Sequence, residues 1–145
     1  MTTPVTQGQI TQGPVTQGID HLGLSVSDLD ASKDFFEGAL GWTQFGGWPD
    51  YPSVFMTDGV SRLTLWQCKG GQINGFDRHA NVGLHHLALK VASAQALRDV
   101  FARVSQWPGV TVEFAPEPAG KGPREHFMIY EPGGLRIEVS HTPAG

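Results

Sequence analysis

The feature that most constrains this chain is a strand-like stretch that occurs twice. Ile19-Asp20-His21-Leu22-Gly23-Leu24-Ser25-Val26 aligns with Leu84-His85-His86-Leu87-Ala88-Leu89-Lys90-Val91, and both copies carry a histidine at the same place, His21 and His86. Both alternate apolar and other residues, as a strand with one buried face does. Each copy is followed by a cap-type residue and then a helical pattern. A repeat of this length marks a duplicated structural unit. Duplication also carries two equivalent histidines toward one centre.

After the first copy, Asp28 can cap a helix whose apolar residues Ala31, Phe35, Phe36, Ala39 and Leu40 recur at helical spacing, with Gly41 closing it. Extended runs follow over 42–48, 53–57 and 62–68, the last two separated by the hairpin signal Asp58-Gly59. Residues 69–83 are polar and glycine-rich and read as a linker between halves. After the second copy, Ser93 is the cap and Leu97, Val100, Phe101 and Val104 form a helical stripe, stopped by Pro108-Gly109. Extended runs follow over 110–114, 125–130 and 135–141, with Glu131-Pro132-Gly133-Gly134 as a tight turn. Each half therefore reads β-α-β-β-β, the first module over 19–68 and the second over 84–141, in one domain overall. Residues 1–18 repeat Thr-Gln-Gly at Thr6, Thr11 and Thr16 and read as a flexible leader or an arm swapped onto a partner subunit.

Composition excludes several classes. The net charge is −4 and Lys and Arg are scattered, which is not a nucleic-acid footprint. No apolar run approaches the roughly 20 residues of a membrane span. The polar N-terminus resembles neither a secretory signal nor a transit peptide. A lone cysteine, Cys68, excludes an internal disulfide, and the whole fits the cytoplasm.

Three stretches carry a family resemblance: residues 19–42, the HHLALKV run at 85–91, and YEPGGLRIEVSH at 130–141. Together they resemble the vicinal oxygen chelate superfamily, which includes glyoxalase I, extradiol dioxygenases, fosfomycin-resistance transferases and bleomycin-resistance proteins. The resemblance implies an α+β fold of two βαβββ modules that form a curled, open antiparallel-sheet cup around one divalent metal. It places the metal ligands at His21, His86 and Glu138. Neutral imidazole and carboxylate suit Fe(II) or Mn(II), with Zn(II) or Ni(II) possible, and leave coordination positions open for substrate. Glu138 lies in an alternating run, with Leu135, Ile137 and Val139 on the opposite face.

Aligning SRLTLW (61–66) with GLRIEV (134–139) puts Leu65 where Glu138 falls. Glyoxalase I and its epimerase relatives usually carry a fourth ligand there, Glu or Gln. Leucine cannot ligate, which leaves Gln67, two residues on, as the candidate fourth ligand. Even spacing back from Glu138 reaches Tyr130, Met128 and His126 on one face. Met128 stands where the fosfomycin and extradiol groups often carry a tyrosine, and His126 or Tyr130 is expected to move a proton. The Gly120-Lys121-Gly122-Pro123-Arg124 loop is expected to cover the cup and attract an anion. Trp42, Phe45, Trp48, Phe55 and Trp66 are pocket or core candidates. His85 is expected on the outer face of its strand, with His79 and His141 solvated.

The expected function is a metal-dependent enzyme that chelates adjacent oxygens of a small substrate, with an extradiol ring-cleaving dioxygenase ranked first. A glyoxalase-type lyase or isomerase (lactoylglutathione lyase-like) comes second, and a non-catalytic bleomycin-resistance-like binding protein third. A homodimer is expected, with neither nucleic acid nor membrane as partner.

Overall fold

The structure is a computed structural model that describes residues 13–144, so the Thr-Gln-Gly expectations at Thr6 and Thr11 fall outside the described residues. The first half holds β1 (Leu22–Val26), α1 (Leu29–Asp34) with a π-helical turn (Phe35–Ala39), β2 (Thr43–Trp48), β3 (Ser53–Thr57) and β4 (Arg62–Gln67). The second holds β5 (Leu87–Lys90), α2 (Ala94–Val104), β6 (Thr111–Pro118), β7 (Glu125–Tyr130) and β8 (Arg136–His141). The fold is α+β, with two four-stranded sheets in the orders β1-β4-β3-β2 and β5-β8-β7-β6.

Both sheets are mixed, a correction to the antiparallel sheets expected. β1 runs parallel to β4 and β5 parallel to β8, and the remaining pairs are antiparallel. The connectivity requires this. The crossover helix brings β2 back in the direction of β1, the meander then gives β4 the direction of β2, and β4 settles beside β1.

The caps behave as the sequence demands. The Asp28 side chain accepts from Ala31 N, the Ser93 side chain accepts from Ala96 N, and Gly41 takes a φ of 72° just after the π turn. That turn buries Phe35, Phe36 and Ala39. The two halves share one core, in which Leu24, Val26, Phe35, Phe36, Leu63 and Leu65 join Leu97, Val104, Phe127, Ile129, Ile137 and Val139.

A polar joint also ties the halves. Buried Ser32 donates from Oγ to Glu131 Oε2 at 2.8 Å, and Ser27 N donates to Gly133 O at 3.0 Å. A Cβ on Gly133 would sit 2.0 Å from Ser32 Oγ, so this turn needs a glycine. Among the described residues no strand pairing joins the sheets; β1 bonds only to β4, and β5 only to β8.

Candidate metal centre

Glu138 sits in the middle of β8, between Ala88 of β5 and Met128 of β7, and is only 5% exposed. Alternation along β8 sends Leu135, Ile137 and Val139 into the core and turns Glu138 to the opposite face. The register puts His126, Met128 and Tyr130 on the Glu138 face as well, since Met128 opposes Glu138, His126 opposes Ser140 and Tyr130 opposes Arg136.

Three cationic or titratable groups converge on this carboxylate. His86 Nε2 lies 3.3 Å from Oε2, His126 Nδ1 lies 3.4 Å from Oε1, and Arg124 donates from Nη1 to Oε1 at 2.6 Å. Among the described residues, His126 Nδ1 is buried and has no hydrogen-bond partner. A buried polar atom without a partner is costly, so this nitrogen is poised for a partner that the described residues do not supply.

His21 stands just before β1, with its side chain 53% exposed, and its Nδ1 is 2.6 Å from Asp20 Oδ2. That hydrogen bond, together with the charge of His21, holds the Asp20 carboxyl below its ordinary range. His21 is not among the contacts of Glu138. Among the described residues no three His, Cys, Asp or Glu side chains stand ready to hold a metal. At Glu138, the Arg124 guanidinium takes the place a cation would need.

Several expectations need correction. Tyr130 shares the face of Glu138 but not its surroundings, because its hydroxyl donates to Glu113 Oε1 at 3.2 Å and accepts from Arg78 Nη1 at 3.2 Å. Leu65 is not the counterpart of Glu138. Gly23 opposes Thr64 as Ala88 opposes Glu138, so the equivalent residue is Thr64, and Leu65 is fully buried in the core. Thr64 Oγ1 accepts from Trp66 Nε1 at 2.9 Å. Gln67 is occupied as a helix cap: its Oε1 accepts from Leu29 N at 2.8 Å and its Nε2 donates to Ser27 O at 2.8 Å.

His85 is exposed, and its side chain turns along the chain toward His86 and Arg136. Its Nδ1 is 2.8 Å from His86 Nδ1 and 3.3 Å from Arg136 Nη1. Residues 84–86 precede β5, so strand alternation does not govern them. His141 Nδ1 meets Val91 O at 3.3 Å and is half-buried rather than solvated.

Sequence reasoning missed the arginine on Glu138. Its signal was available, since Arg124 precedes His126 by two residues and so shares its side of an extended chain. It also missed how the first-sheet aromatics are arranged. Tyr51, Trp66, Phe55 and Phe45 form a row with successive ring centroids 5.1, 5.9 and 5.9 Å apart. Phe55 opposes Thr64, so the row lies on the face of the first sheet that corresponds to the Glu138 face of the second. Lys69 Nζ stands 4.6 Å from the Tyr51 ring, and the Arg62 guanidinium 5.8 Å from Phe45. Trp42 belongs to the core instead, edge-on to Phe36 at 5.3 Å.

The fold and this site define a class. Residues 18–139 match the family described as the Glyoxalase/Bleomycin resistance protein/Dioxygenase superfamily, and the chain belongs to it. Among solved structures it is similar to a possible glyoxalase from Bacillus cereus, with 27% identity over 86% of this chain and 98% of that one, at a TM-score of 0.66. It is also similar to a glyoxylase/bleomycin resistance protein/dioxygenase domain from Frankia sp. EAN1pec, with 22% identity over 88% and 99% of the two chains, at a TM-score of 0.75. A lactoylglutathione lyase from Agrobacterium tumefaciens aligns at 22% identity over 88% and 96%, with a TM-score of 0.66. No curated protein matches the chain. Among the described residues no helix is long and apolar enough to cross a membrane.

Proposed function

We propose that this chain is a cytoplasmic metal-dependent enzyme that acts on a small substrate with adjacent oxygens, and that its reaction is ring cleavage of the extradiol type. The observation that carries this reading is the approach of His86 Nε2 to the buried Glu138 carboxylate, with the buried His126 Nδ1 beside it as a group apart from the ligand set. Two imidazoles and a carboxylate fit Fe(II) or Mn(II). His86 and Glu138 would hold the ion from one copy and the partner's His21 would complete the set. The strand edges support such sharing, since among the described residues β1 beside His21 and β5 beside His86 each pair on one side only.

The metal, when bound, supplies a Lewis acid that polarises the substrate oxygens and an open position for O₂. The chain's own residues supply the rest. His126 Nδ1 is the group assigned to accept the substrate's hydroxyl proton, in preference to Tyr130, whose hydroxyl is engaged by Glu113 and Arg78. The Phe45–Phe55–Trp66–Tyr51 row offers flat apolar surface to a ring. Thr64 brings neither a carboxylate nor an amide to the position equivalent to Glu138, which favours three ligands over the four of glyoxalase-type isomerisation.

The test is anaerobic reconstitution with Fe(II), followed by catechols and air. Oxygen uptake with a coloured ring-opened product, lost in Glu138→Ala, is the expected result. No uptake with any catechol, together with turnover of a hemithioacetal with Ni(II) or Zn(II), would replace ring cleavage with the lyase reading.

A further inference from the structure

We propose that the cleft beside the linker is a second binding site, one that anchors a small organic monocarboxylate on Arg78 and houses its apolar body. The site is separate from the Glu138 centre and stands whether or not an ion binds there. The cleft has a volume of about 520 Å³ and lies between β1, residues 73–84 of the linker region and the start of β8. That is the size of a small-molecule pocket. None of His21, His86, His126 and Glu138 lines it. Among the described residues no aspartate or glutamate lines it either, and its charged lining groups are Arg78 and Arg136.

The two guanidiniums share one carboxylate, and they share it unequally. Arg136 is fully engaged, with Nε 3.0 Å from Glu113 Oε1, Nη2 2.6 Å from Oε2 and Nη1 3.3 Å from His85 Nδ1. Arg78 Nη1 reaches the same carboxylate only at 3.7 Å. Among the described residues the hydrogen bond of the Arg78 side chain runs from Nη1 to the Tyr130 hydroxyl at 3.2 Å, and that hydroxyl is neutral. The rest of the Arg78 fork is left for a ligand. With Glu113 matched to Arg136, one positive charge in the cleft is uncompensated. A tight turn holds Arg78 in place: Ala80 N and Asn81 N donate to Asp77 O, and His79 N donates to Asp77 Oδ1. A planar fork of donors suits a carboxylate, and a single charge suits a monoanion better than a dianion such as phosphate.

The walls define the rest of the ligand. Ile73, Phe76 and Val82 come from an otherwise polar, glycine-rich linker, yet they are 45%, 44% and 105% exposed and line the cleft together with Leu84. Apolar side chains clustered in the open around a concave site are the surface that a ligand's hydrocarbon covers. A Cβ on Gly83 would sit 2.8 Å from Phe76 Cε2, so glycine at 83 lets the ring lie close against the chain.

The test uses the full chain stripped of metal by a chelator, so that no ion at Glu138 takes part. Benzoate, phenylacetate and octanoate are titrated beside benzyl alcohol and inorganic phosphate, and binding is read from amide shifts in proton–nitrogen NMR. The carboxylates are expected to bind with a Kd of about 1 mM or below, as ligands of this size do, and to shift the amides of Phe76, Arg78 and Gly83. Benzyl alcohol and phosphate should bind at least about tenfold more weakly than benzoate, because each lacks one of the two matched features. Arg78→Gln is expected to weaken benzoate by about 10–100-fold, the effect of losing a hydrogen bond to a charged group. Ile73→Asp puts a negative charge at an exposed position on the cleft and should weaken benzoate without disturbing the fold, so it decides the matter should Arg78→Gln fail to fold. Four results overturn the proposal: no carboxylate bound at about 10 mM, benzyl alcohol or phosphate bound as well as benzoate, shifts confined to His126 and Glu138, or benzoate affinity unchanged in a folded Arg78→Gln or Ile73→Asp protein.

Discussion

Arg124 and Glu138 meet through Nη1 and Oε1 at 2.6 Å, the shortest contact on a carboxylate that is otherwise nearly sealed from solvent. The arginine side chain is 42% exposed, so it can swing away without unfolding anything. A metal that binds Glu138 through Oε1 must displace this guanidinium. Arg124→Met is therefore expected to tighten Co(II) or Mn(II) binding by up to about fivefold, since a partly exposed ion pair is worth at most ~1 kcal/mol. Isothermal titration reads this directly. Weaker binding in the variant would mean that Arg124 organises the site instead of competing for it.

His126 should separate chemistry from metal retention. Its Nδ1 is buried, unpartnered and 3.4 Å from Glu138 Oε1. His126→Gln is expected to lower kcat by about 10²–10⁴-fold, the usual contribution of a positioned acid or base. Metal content measured on the same sample should stay near one ion per chain. A parallel loss of metal would make His126 a ligand.

The joint between the halves gives a pH prediction. Burial raises the Glu131 carboxyl above its ordinary range, against the opposing hydrogen bonds from the Gly133 and Leu135 backbone and from Ser32. A raised folded value means a contribution to stability that is complete below the ordinary carboxylate range and is lost as pH climbs through the raised value. Glu131→Gln removes that loss. Its Tm relative to native protein should therefore rise between pH 4 and pH 8. Glu131→Ala leaves Ser32 Oγ and Leu135 N without their acceptor and should cost about 1–3 kcal/mol for each. Thermal melts across pH check both, and a Glu131→Gln difference that stays flat with pH would refute the burial argument.

Much of this was legible in the residues. The His21/His86 repeat marked the two modules of the fold, and the alternation around Glu138 put that carboxylate on the face opposite the core residues Ile137 and Val139. Asp58-Gly59 marked a turn that forms, with Asp58 Oδ1 accepting from Val60 N and Ser61 N. The Leu65 assignment failed for a geometric reason. The turn between β7 and β8, residues 131–135, is one residue longer than that between β3 and β4, residues 58–61. Carrying the alignment across the two turns as if they were of equal length thus slipped the register by one, and a slip of one exchanges the faces of a strand, whereas matching Leu63 and Leu65 to Ile137 and Val139 restores it. The contacts of Arg124 with Glu138 and of His85 with Arg136 join segments far apart in the chain, and strand periodicity gives only the side of the chain on which Arg124 lies.

Sharing of the site between copies predicts complementation. Alone, His21→Ala and His86→Ala proteins should each lack stoichiometric metal. Mixed and allowed to exchange subunits, they should regain up to about one site in every mixed dimer, because one of its two cups keeps both histidines. Metal analysis of the mixture after size separation reads the recovery. Recovery of none, with native protein running as a monomer in sedimentation at micromolar concentration, would place the whole site within one chain.

The central claim is that Glu138 and His86 bind a divalent ion together with a His21. Its most direct test is metal content by inductively coupled plasma mass spectrometry, after loading with Fe(II) or Mn(II) and gel filtration, for native protein and for His21→Ala, His86→Ala and Glu138→Ala. Native protein is predicted to retain about one ion per chain, and each variant to fold with native-like circular dichroism while retaining almost none. Full metal in Glu138→Ala, or none in the native protein, would contradict the account.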